Sequence, residues 1–266
     1  MEKKEKVDWI IILTWPVIAS LASILLEETN IVHQNFFISI VIFLALPSIY
    51  ISFRASKYAQ KALILSFLSL PLMVIIEYFG HISDSWSFPQ SIFPIRIFGN
   101  VILEVLIWVF FNVFYVLMFY EYFLDRHITK HLWAPRMKYL FSGMIILFIA
   151  FLFFIFHFST QPIPYFYFLF GLLVFAVPVI LQFGKYWHHK KILVKMLKTA
   201  AYFFYLSFTY EILALNYGWW SFPSERFIGW FSIFKFKFPI EELVWWIILF
   251  ALAVLTYYEY FDDDEK

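Results

Sequence analysis

The sequence contains no cysteine and few charged residues. None of its 266 residues is Cys, which excludes disulfides, thiolate catalysis and cysteine-ligated zinc or iron–sulfur centres. Charged residues make up 15% of the chain, whereas 63% of the residues are hydrophobic and 24% are aromatic. Soluble domains carry about 25% charged residues. Water is therefore not the main solvent of this protein.

Long apolar runs recur along the chain, separated by short polar breaks. One helical bilayer crossing takes about 20 mostly apolar residues, and continuous runs favour helices because barrel strands would alternate with a period of two. The pattern predicts an all-α polytopic membrane helix bundle of about eight transmembrane helices. The approximate spans are Trp9–Leu26, Phe36–Phe53, Lys61–Phe79, Asn100–Phe123, Tyr139–His157, Tyr165–Phe183, Thr199–Asn216 and Pro239–Tyr260.

Lys and Arg are distributed unevenly between the two sides of the predicted bundle. Sixteen of the 20 lie at the chain ends or in breaks that follow even-numbered spans. By the positive-inside rule this predicts an integral cell-membrane protein with both termini cytoplasmic. The first apolar run lacks a small-residue cleavage site, so we interpret it as a retained helix rather than a cleaved signal. The four basic residues on the outer side are Arg96, Arg226, Lys235 and Lys237.

The two halves of the sequence share motifs in the same order. The first half contains Glu77, WSFP (86–89), Glu104, Trp108 and EYF (121–123), and the second contains Glu211, WSFP (220–223), Glu242, Trp246 and EYF (259–261). The offset between the halves increases after the WSFP motifs, which a four-residue insertion in the second outer loop explains. We predict one membrane domain over 1–266, with parallel repeats at about 1–134 and 135–266.

Two pairs of equivalent acids lie at the outer ends of the predicted spans. Glu77 and Glu211 belong to spans three and seven, and Glu104 and Glu242 to spans four and eight. If the halves pack about a pseudo-twofold axis, the four acids converge on one pocket. An intramembrane carboxylate is a functional hypothesis by default. By contrast, we interpret the acids of the two EYF motifs, at the cytoplasmic ends, as interface anchors.

The proline before the last span allows a simpler interpretation of two acids. Pro239 favours the first helical position, and the macrodipole stabilises acids in the first turn, so Glu241 and Glu242 can be capping residues only. No proline directly precedes Glu104. We therefore expect Glu104 to lie a turn inside an apolar helix, where its carboxyl group could deliver a proton as a general acid.

Tryptophans accompany the candidate acids in both halves. Trp108 and Trp246 lie four residues after Glu104 and Glu242, on the same helical face, where an aromatic ring could stabilise a transient carbocation. Lipid-interface anchoring is the alternative role of such residues. The candidate catalytic residues are Glu77, Glu104, Glu211, Glu241 and Glu242, and the candidate substrate-binding residues are Trp86, Trp108, Trp220, Trp246 and Pro239.

Part of the second half resembles a known enzyme family. The run 219–229 (WWSFPSERFIG), followed by 238–242 (FPIEE), resembles the lycopene cyclase domain of archaeal and Gram-positive carotenoid cyclases. The resemblance implies a Pro-x-Glu-Glu/Asp motif, which maps onto Pro239, Glu241 and Glu242, and two tandem or paired copies of the domain. The likeness covers about Glu77–Phe123 and Glu211–Phe261.

The resemblance implies cyclisation of a linear carotenoid end group. A carboxylic acid protonates the terminal double bond, the next double bond attacks the cation, and a base removes a proton. This non-redox isomerisation needs no cofactor and no metal, and its substrate is a lipophilic polyene from the bilayer. Membrane lipids are the other expected partners, and no nucleic acid is expected.

The first copy departs from the family motif, because its aligned residues 101–104 (VILE) keep only the second acid. The second half could carry the chemistry while the first shapes the pocket. Alternatively, the protein could catalyse a related reaction, since hydration of the same cation, as in carotenoid hydratases, needs only a trapped water.

Three other classes of protein are weighed against this prediction. The H-x-x-x-H spacing of His127 and His131, with His188 and His189 in another loop, suggests a diiron enzyme, but such enzymes ordinarily need about eight clustered histidines and this chain has 7. A prenyltransferase would need Asp-rich motifs facing a cavity, whereas the acidic run 262–265 is terminal. A proton-coupled carrier would also suit repeats and intramembrane Glu, although only 7 glycines are present.

Overall fold

The apolar runs of the sequence form eight long helices in a computed structural model that describes residues 3–29, 36–126, 134–158, 161–187 and 189–261. The prediction of an all-α membrane bundle is confirmed. We number the helices along the chain as α1 Lys3–Glu28, α2 Phe36–Arg54, α3 Ser56–Ile82, α4 Leu103–Asp125, α5 Met137–His157, α6 Phe166–Tyr186, α7 Lys190–Tyr217 and α8 Ile240–Phe261.

Within the described residues, seven of these helices are long and apolar enough to cross a bilayer. The exception is α7, which spans 28 residues and so has a length of about 42 Å. Its lower hydropathy has a structural reason, since Thr199, Tyr202, Tyr210 and Glu211 turn inward and are buried. We treat α7 as the eighth helix of the bundle.

Large apolar side chains also cover the outside of the bundle. In α5 only 6% of the most apolar window is buried, and Ile146 and Phe156 are exposed. A soluble protein rarely exposes a contiguous apolar surface of this kind, whereas hydrocarbon lipid covers it without cost. The centre is occupied by α4, where Tyr115 and Met118 are fully buried.

Two short hairpins, which the sequence analysis did not predict, connect the helices on the side of the candidate acids. Between α3 and α4, strand β1 (Arg96–Ile97) pairs with β2 (Val101–Ile102) in antiparallel register. Between α7 and α8, strand β3 (Trp230–Ile233) pairs with β4 (Phe236–Pro239). The fourth helix starts three residues after the approximate predicted start at Asn100, because β2 precedes it and α4 begins at Leu103.

Four helices contain a π-helical segment. The segments Val41–Ala45 in α2 and Leu172–Ala176 in α6 are each followed closely by a proline, Pro47 and Pro178. In both helices the proline is the second residue after the segment. Since both helices are second in their half of the chain, they are equivalent in the predicted repeat. The other two segments are Tyr120–Asp125 in α4 and Leu243–Leu249 in α8.

Candidate functional site

The two WSFP motifs meet at the end of the bundle that carries the two hairpins. The backbone N–H of Ser87 donates to the carbonyl oxygen of Ser221 at 2.9 Å, and the N–H of Ser221 donates to the carbonyl oxygen of Ser87 at 2.9 Å. The two serines hold the same place in their motifs. A pseudo-twofold axis between the halves would produce such a reciprocal pairing of equivalent residues.

The repeated spacing of Glu and Trp forms a carboxyl–indole pair in each half. Nε1 of Trp86 donates to Oε2 of Glu77 at 2.7 Å, and Nε1 of Trp220 donates to both carboxyl oxygens of Glu211 at 3.2 Å. A Cβ atom placed on Gly80 would lie 2.1 Å from Cζ2 of Trp86. The Trp86 ring therefore packs directly on the backbone of α3, one turn after Glu77.

A cavity of about 50 Å³ lies between these pairs. Both halves contribute to its walls, and three of its wall positions hold the same residue in each half. The rings of one such pair, Trp108 and Trp246, contact each other edge to face with centroids 5.0 Å apart. The lining residues are Phe36, Met73, Glu77, Trp86, Phe88, Val105, Trp108, Tyr167, Trp220, Phe222, Glu242 and Trp246.

Glu242 is the most highly connected acid of this cavity. The hydroxyl group of Tyr167 donates a hydrogen bond to Oε2 of Glu242, and the carboxyl group of Glu211 lies close enough to that of Glu242 for the two to interact. Both side chains are buried, and two neighbouring buried carboxyl groups disfavour ionisation of both. The pair Glu211–Glu242 is therefore a place beside the cavity where a proton can be held.

The two sides of the cavity differ at two equivalent positions. Tyr167 is the second residue of α6 and precedes Pro178 by the same number of residues as Phe36 precedes Pro47. Glu242 is the third residue of α8, and Val105 is the third residue of α4. The second half thus presents a hydroxyl and a carboxyl group where the first presents a phenyl and an isopropyl group.

Glu77 supplies an acid to the cavity from the other half. It is fully buried, and its Oε1 has no hydrogen-bond partner among the described residues. The same holds for Nε1 of Trp108, which also lines the cavity. A cavity of more than about 10–15 Å³ with polar partners can hold a water. The two unpaired atoms therefore mark positions where water or a reacting group can bind.

Glu104 and Glu241 do not line the cavity. Each is the second residue of its helix, and both are buried. Oε1 of Glu104 accepts the backbone N–H groups of Ile92 and Phe93 at 2.7 and 3.1 Å, and Oε1 of Glu241 accepts the N–H of Ile228 at 2.6 Å. In this arrangement each acid fixes the connecting loop that precedes its helix.

The expectation that Glu104 lies a turn inside its helix is wrong. Because α4 begins only at Leu103, Glu104 lies in the first turn and is structurally equivalent to Glu241, the second residue of α8. The second half has four more residues than the first between its WSFP motif and its repeated tryptophan, Trp246. The longer hairpin of the second half accounts for three of these residues, and the π-helical segment of α8 accommodates the fourth. Pro239 is the last residue of β4 and precedes the helix, one position earlier than expected.

Two further cavities continue from the acid-lined one toward the other end of the bundle. The first, of about 80 Å³, shares Met73 and Trp246 with it, and the second, also about 80 Å³, shares Val113 and Tyr257 with the first. Helices α3, α4 and α8 line both cavities. Apart from Ser69, Tyr257 and the Trp246 indole, their walls consist of aliphatic, Phe and Met side chains.

The interpretation of the EYF acids as interface anchors is wrong. Glu121 and Glu259 are both buried, because they bind across the two halves. The hydroxyl of Tyr258 donates to Oε1 of Glu121 at 2.5 Å, and the hydroxyl of Tyr120 donates to Oε1 of Glu259. Equivalent residues again exchange partners, here at the opposite end of the bundle from the Ser87–Ser221 bridge.

The residues that suggested other enzyme classes lie mostly outside the described part of the chain. His127, His131, His188 and the acidic run 262–265 are not among the described residues. Within the residues that are described, no group of three or more His, Asp and Glu side chains is placed to hold a metal ion.

Sequence reasoning missed Tyr167 and its phenyl counterpart, Phe36. The pattern Ala-x-Pro at 45–47 and 176–178 relates α2 to α6 and would have placed the two residues at equivalent positions. The resemblance to the lycopene cyclase domain rests on the quoted runs of this sequence. In comparisons with protein-family models, with curated proteins and with solved structures, nothing matches this chain.

Proposed function

We propose that this membrane protein is an acid–base enzyme of the carotenoid end-group cyclase type. The observation that carries the proposal is a pair of neighbouring buried carboxyl groups, Glu211 and Glu242, at one end of a row of apolar cavities that share lining residues. A linear polyene matches this arrangement, because it has a reactive terminal double bond at one end and a long apolar tail. Its end group would lie beside Glu242, and its tail would follow the cavities between α3, α4 and α8.

The residues of the acid-lined cavity have distinct roles in this reaction. The Glu211–Glu242 pair donates a proton to the terminal double bond, and Tyr167 orients the Glu242 carboxyl group. The rings of Trp108 and Trp246 stabilise the cation that results. Glu77, whose Oε1 is unpaired among the described residues, accepts the proton released when the ring double bond forms. One proton enters and one leaves, so the product has the mass of the substrate.

The apolar walls of the two further cavities favour an enzyme over a proton-coupled carrier. A carrier needs polar groups or water along a path from the acids to both sides of the membrane. Here Ser69, Tyr257 and the Trp246 indole are the polar groups in the described walls of the two cavities, which is too few for such a path. The acid-lined cavity measures only about 50 Å³, so its aromatic walls must separate when an end group enters.

Hydration of the same cation is the second candidate reaction. It is favoured by Oε1 of Glu77 and Nε1 of Trp108, both unpaired among the described residues, which could hold one water beside the cavity. In that reaction the water adds to the cation and Glu77 takes up its proton. The product then gains one water in mass.

We also propose that the protein lies in the cell membrane with both termini cytoplasmic. The basic residues at the ends of α2 and α4, Arg54 and Arg126, share one end of the bundle with the start of α1, where they pair with Asp8 and Glu5. By the positive-inside rule this end is cytoplasmic. The acid-lined cavity is then in the outer half of the bilayer.

Expression in bacteria that accumulate lycopene tests the proposed reaction. We expect a new pigment of unchanged mass that absorbs at shorter wavelength, since ring closure twists the end of the conjugated system out of its plane. A pigment heavier by one water would identify the hydratase. Unaltered lycopene in cells that hold folded protein would contradict both reactions on this substrate.

A further inference from the structure

A large basic cavity lies at the opposite end of the bundle from the candidate acids. Its volume is about 480 Å³. It opens between the start of α1, the junction of α2 and α3, and the end of α4. Ser56, at its edge, lies about 30 Å along α3 from Glu77. Its lining includes Lys4, Glu5, Arg54, Lys57, Tyr122 and Arg126.

Arg54 is held in place by a buried carboxylate. Asp8 accepts hydrogen bonds from Nε and Nη2 of Arg54 at 3.1 and 3.0 Å, and from the hydroxyls of Tyr50 and Tyr122 at 2.5 Å each. Only 2% of the Asp8 side chain is exposed, against 35% of Arg54. Asp8 engages one edge of the guanidinium fork and leaves Nη1 available for a further acceptor.

The cavity carries an excess of positive charge. Arg126 pairs with Glu5, and Arg54 pairs with Asp8. Lys4 and Lys57 make no ion pair within the part of the chain that the structure describes. Four basic side chains therefore meet two acidic ones in this part of the protein, and an anion would balance the two lysines.

The start of α3 adds to this positive field. This helix of 27 residues begins at Ser56, and the residue before it is Ala55, whose methyl group cannot accept a hydrogen bond from the first turn. The N-terminus of a long helix is a favourable place for an anion, because N–H groups and the macrodipole both face it. Beside the cavity, Phe53 is 84% exposed, which places an apolar surface next to the basic one.

We propose that this cavity binds a phosphate ester, and that the ester belongs to the headgroup of an anionic membrane lipid. Basic pockets between transmembrane helices on the cytoplasmic side recognise such headgroups. Lys57 and Nη1 of Arg54 contact the phosphate, and the acyl chains lie against Phe53 and the outer face of α2. This site is independent of the proposed enzymatic function.

Native mass spectrometry of the full chain tests the lipid site. The protein is released from vesicles that contain equal amounts of phosphatidylglycerol and phosphatidylcholine, and the lipids that remain bound are counted. The variant Lys4→Gln/Lys57→Gln is compared with Lys235→Gln/Lys237→Gln. The second pair is a matched control, since Lys235 also lies over the ring of the next residue but belongs to the outer hairpin.

We expect the wild type and the outer-hairpin variant to retain phosphatidylglycerol in preference to phosphatidylcholine. Retention should fall roughly fivefold for each lysine removed at the cavity. A parallel titration with inorganic phosphate distinguishes the two sources of the anion. If inorganic phosphate binds tightly and the protein shows no preference between the two lipids, the ligand of the cavity is a soluble phosphate compound and not a lipid. Equal retention of both lipids in all variants, together with no phosphate binding, would overturn the site.

Discussion

Tyr167 donates a hydrogen bond to Glu242, and the equivalent positions of the first half hold Phe36 and Val105. An acid with a hydroxyl donor and a second carboxyl group, Glu211, therefore exists on one side of a cavity whose walls are largely built from equivalent residues. In the proposed reaction this difference puts the proton donor in the second half, while both halves shape the cavity. It agrees with the departure of the first half from the Pro-x-Glu-Glu/Asp motif.

The first prediction concerns the apolar cavities beyond the acids. Val113 lines both of them, so Val113→Trp should fill the path of the polyene tail and abolish conversion of lycopene. Val113→Ala enlarges the path and should retain conversion. Leu173→Trp is the control, because Leu173 is exposed on the outer face of α6. Conversion by a folded Val113→Trp protein at the wild-type rate would contradict this placement of the tail.

The second prediction concerns the close contact of Gly80 and Trp86. Gly80→Ala places a Cβ atom in the ring of Trp86 and should lower the free energy of unfolding by about 1–3 kcal/mol, with a change in tryptophan fluorescence. Gly143→Ala is the matched control, since no described atom lies within 4 Å of its Cβ position. Thermal unfolding in detergent measures both. Equal stability of the two variants would show that the ring does not pack on α3.

The third prediction concerns Glu104 and Glu241 as anchors of the outer loops. Glu104→Ala removes the acceptor of the Ile92 and Phe93 N–H groups and should speed hydrogen exchange at these two amides by about tenfold, because a buried donor left without its acceptor costs about 1–3 kcal/mol. The Ile228 amide, bound to Glu241, is the internal control and should not change. Glu241→Ala should reverse the pattern. Unchanged exchange at all three amides in both variants would contradict the anchoring role.

The fourth prediction concerns the exchanged tyrosine–glutamate pairs at the other end of the bundle. Tyr120→Phe and Tyr258→Phe each remove a donor from a buried carboxyl group of the other half, and each should lower the free energy of unfolding by about 1–3 kcal/mol. Tyr139→Phe changes an exposed tyrosine and should be neutral. If all three variants unfold at the same temperature, the exchanged pairs do not join the halves.

The sequence predicted the helices well because each crossing needs a long apolar run. The repeat predicted that Glu77, Glu104, Glu211 and Glu242 converge on one pocket. Glu77 and Glu242 line one cavity together with the repeated tryptophans, whereas Glu104 and Glu211 are not part of its lining. Apolar periodicity carries no information on strands of two to four residues, so the hairpins were missed. Their presence moved the start of α4 and changed the position of Glu104.

The pairing of Tyr167 with Glu242 could not be read from the motifs. The two residues are 75 positions apart and lie on different helices, so their contact depends on how α6 packs against α8. Gly171 allows this packing, because a Cβ atom there would lie 2.3 Å from the ring of Trp245. Local sequence patterns do not encode such a contact between helices.

The most direct test of the proposed reaction is the conversion of lycopene by Glu242→Gln. Expressed in lycopene-accumulating bacteria beside the wild type, this variant should lose at least about a hundredfold in conversion, the contribution of a positioned general acid. Tyr167→Phe should retain part of the conversion. Glu225→Gln changes an exposed acid in the loop between α7 and β3 and should match the wild type. Wild-type conversion by a folded Glu242→Gln protein would contradict the role of Glu242 as the proton donor.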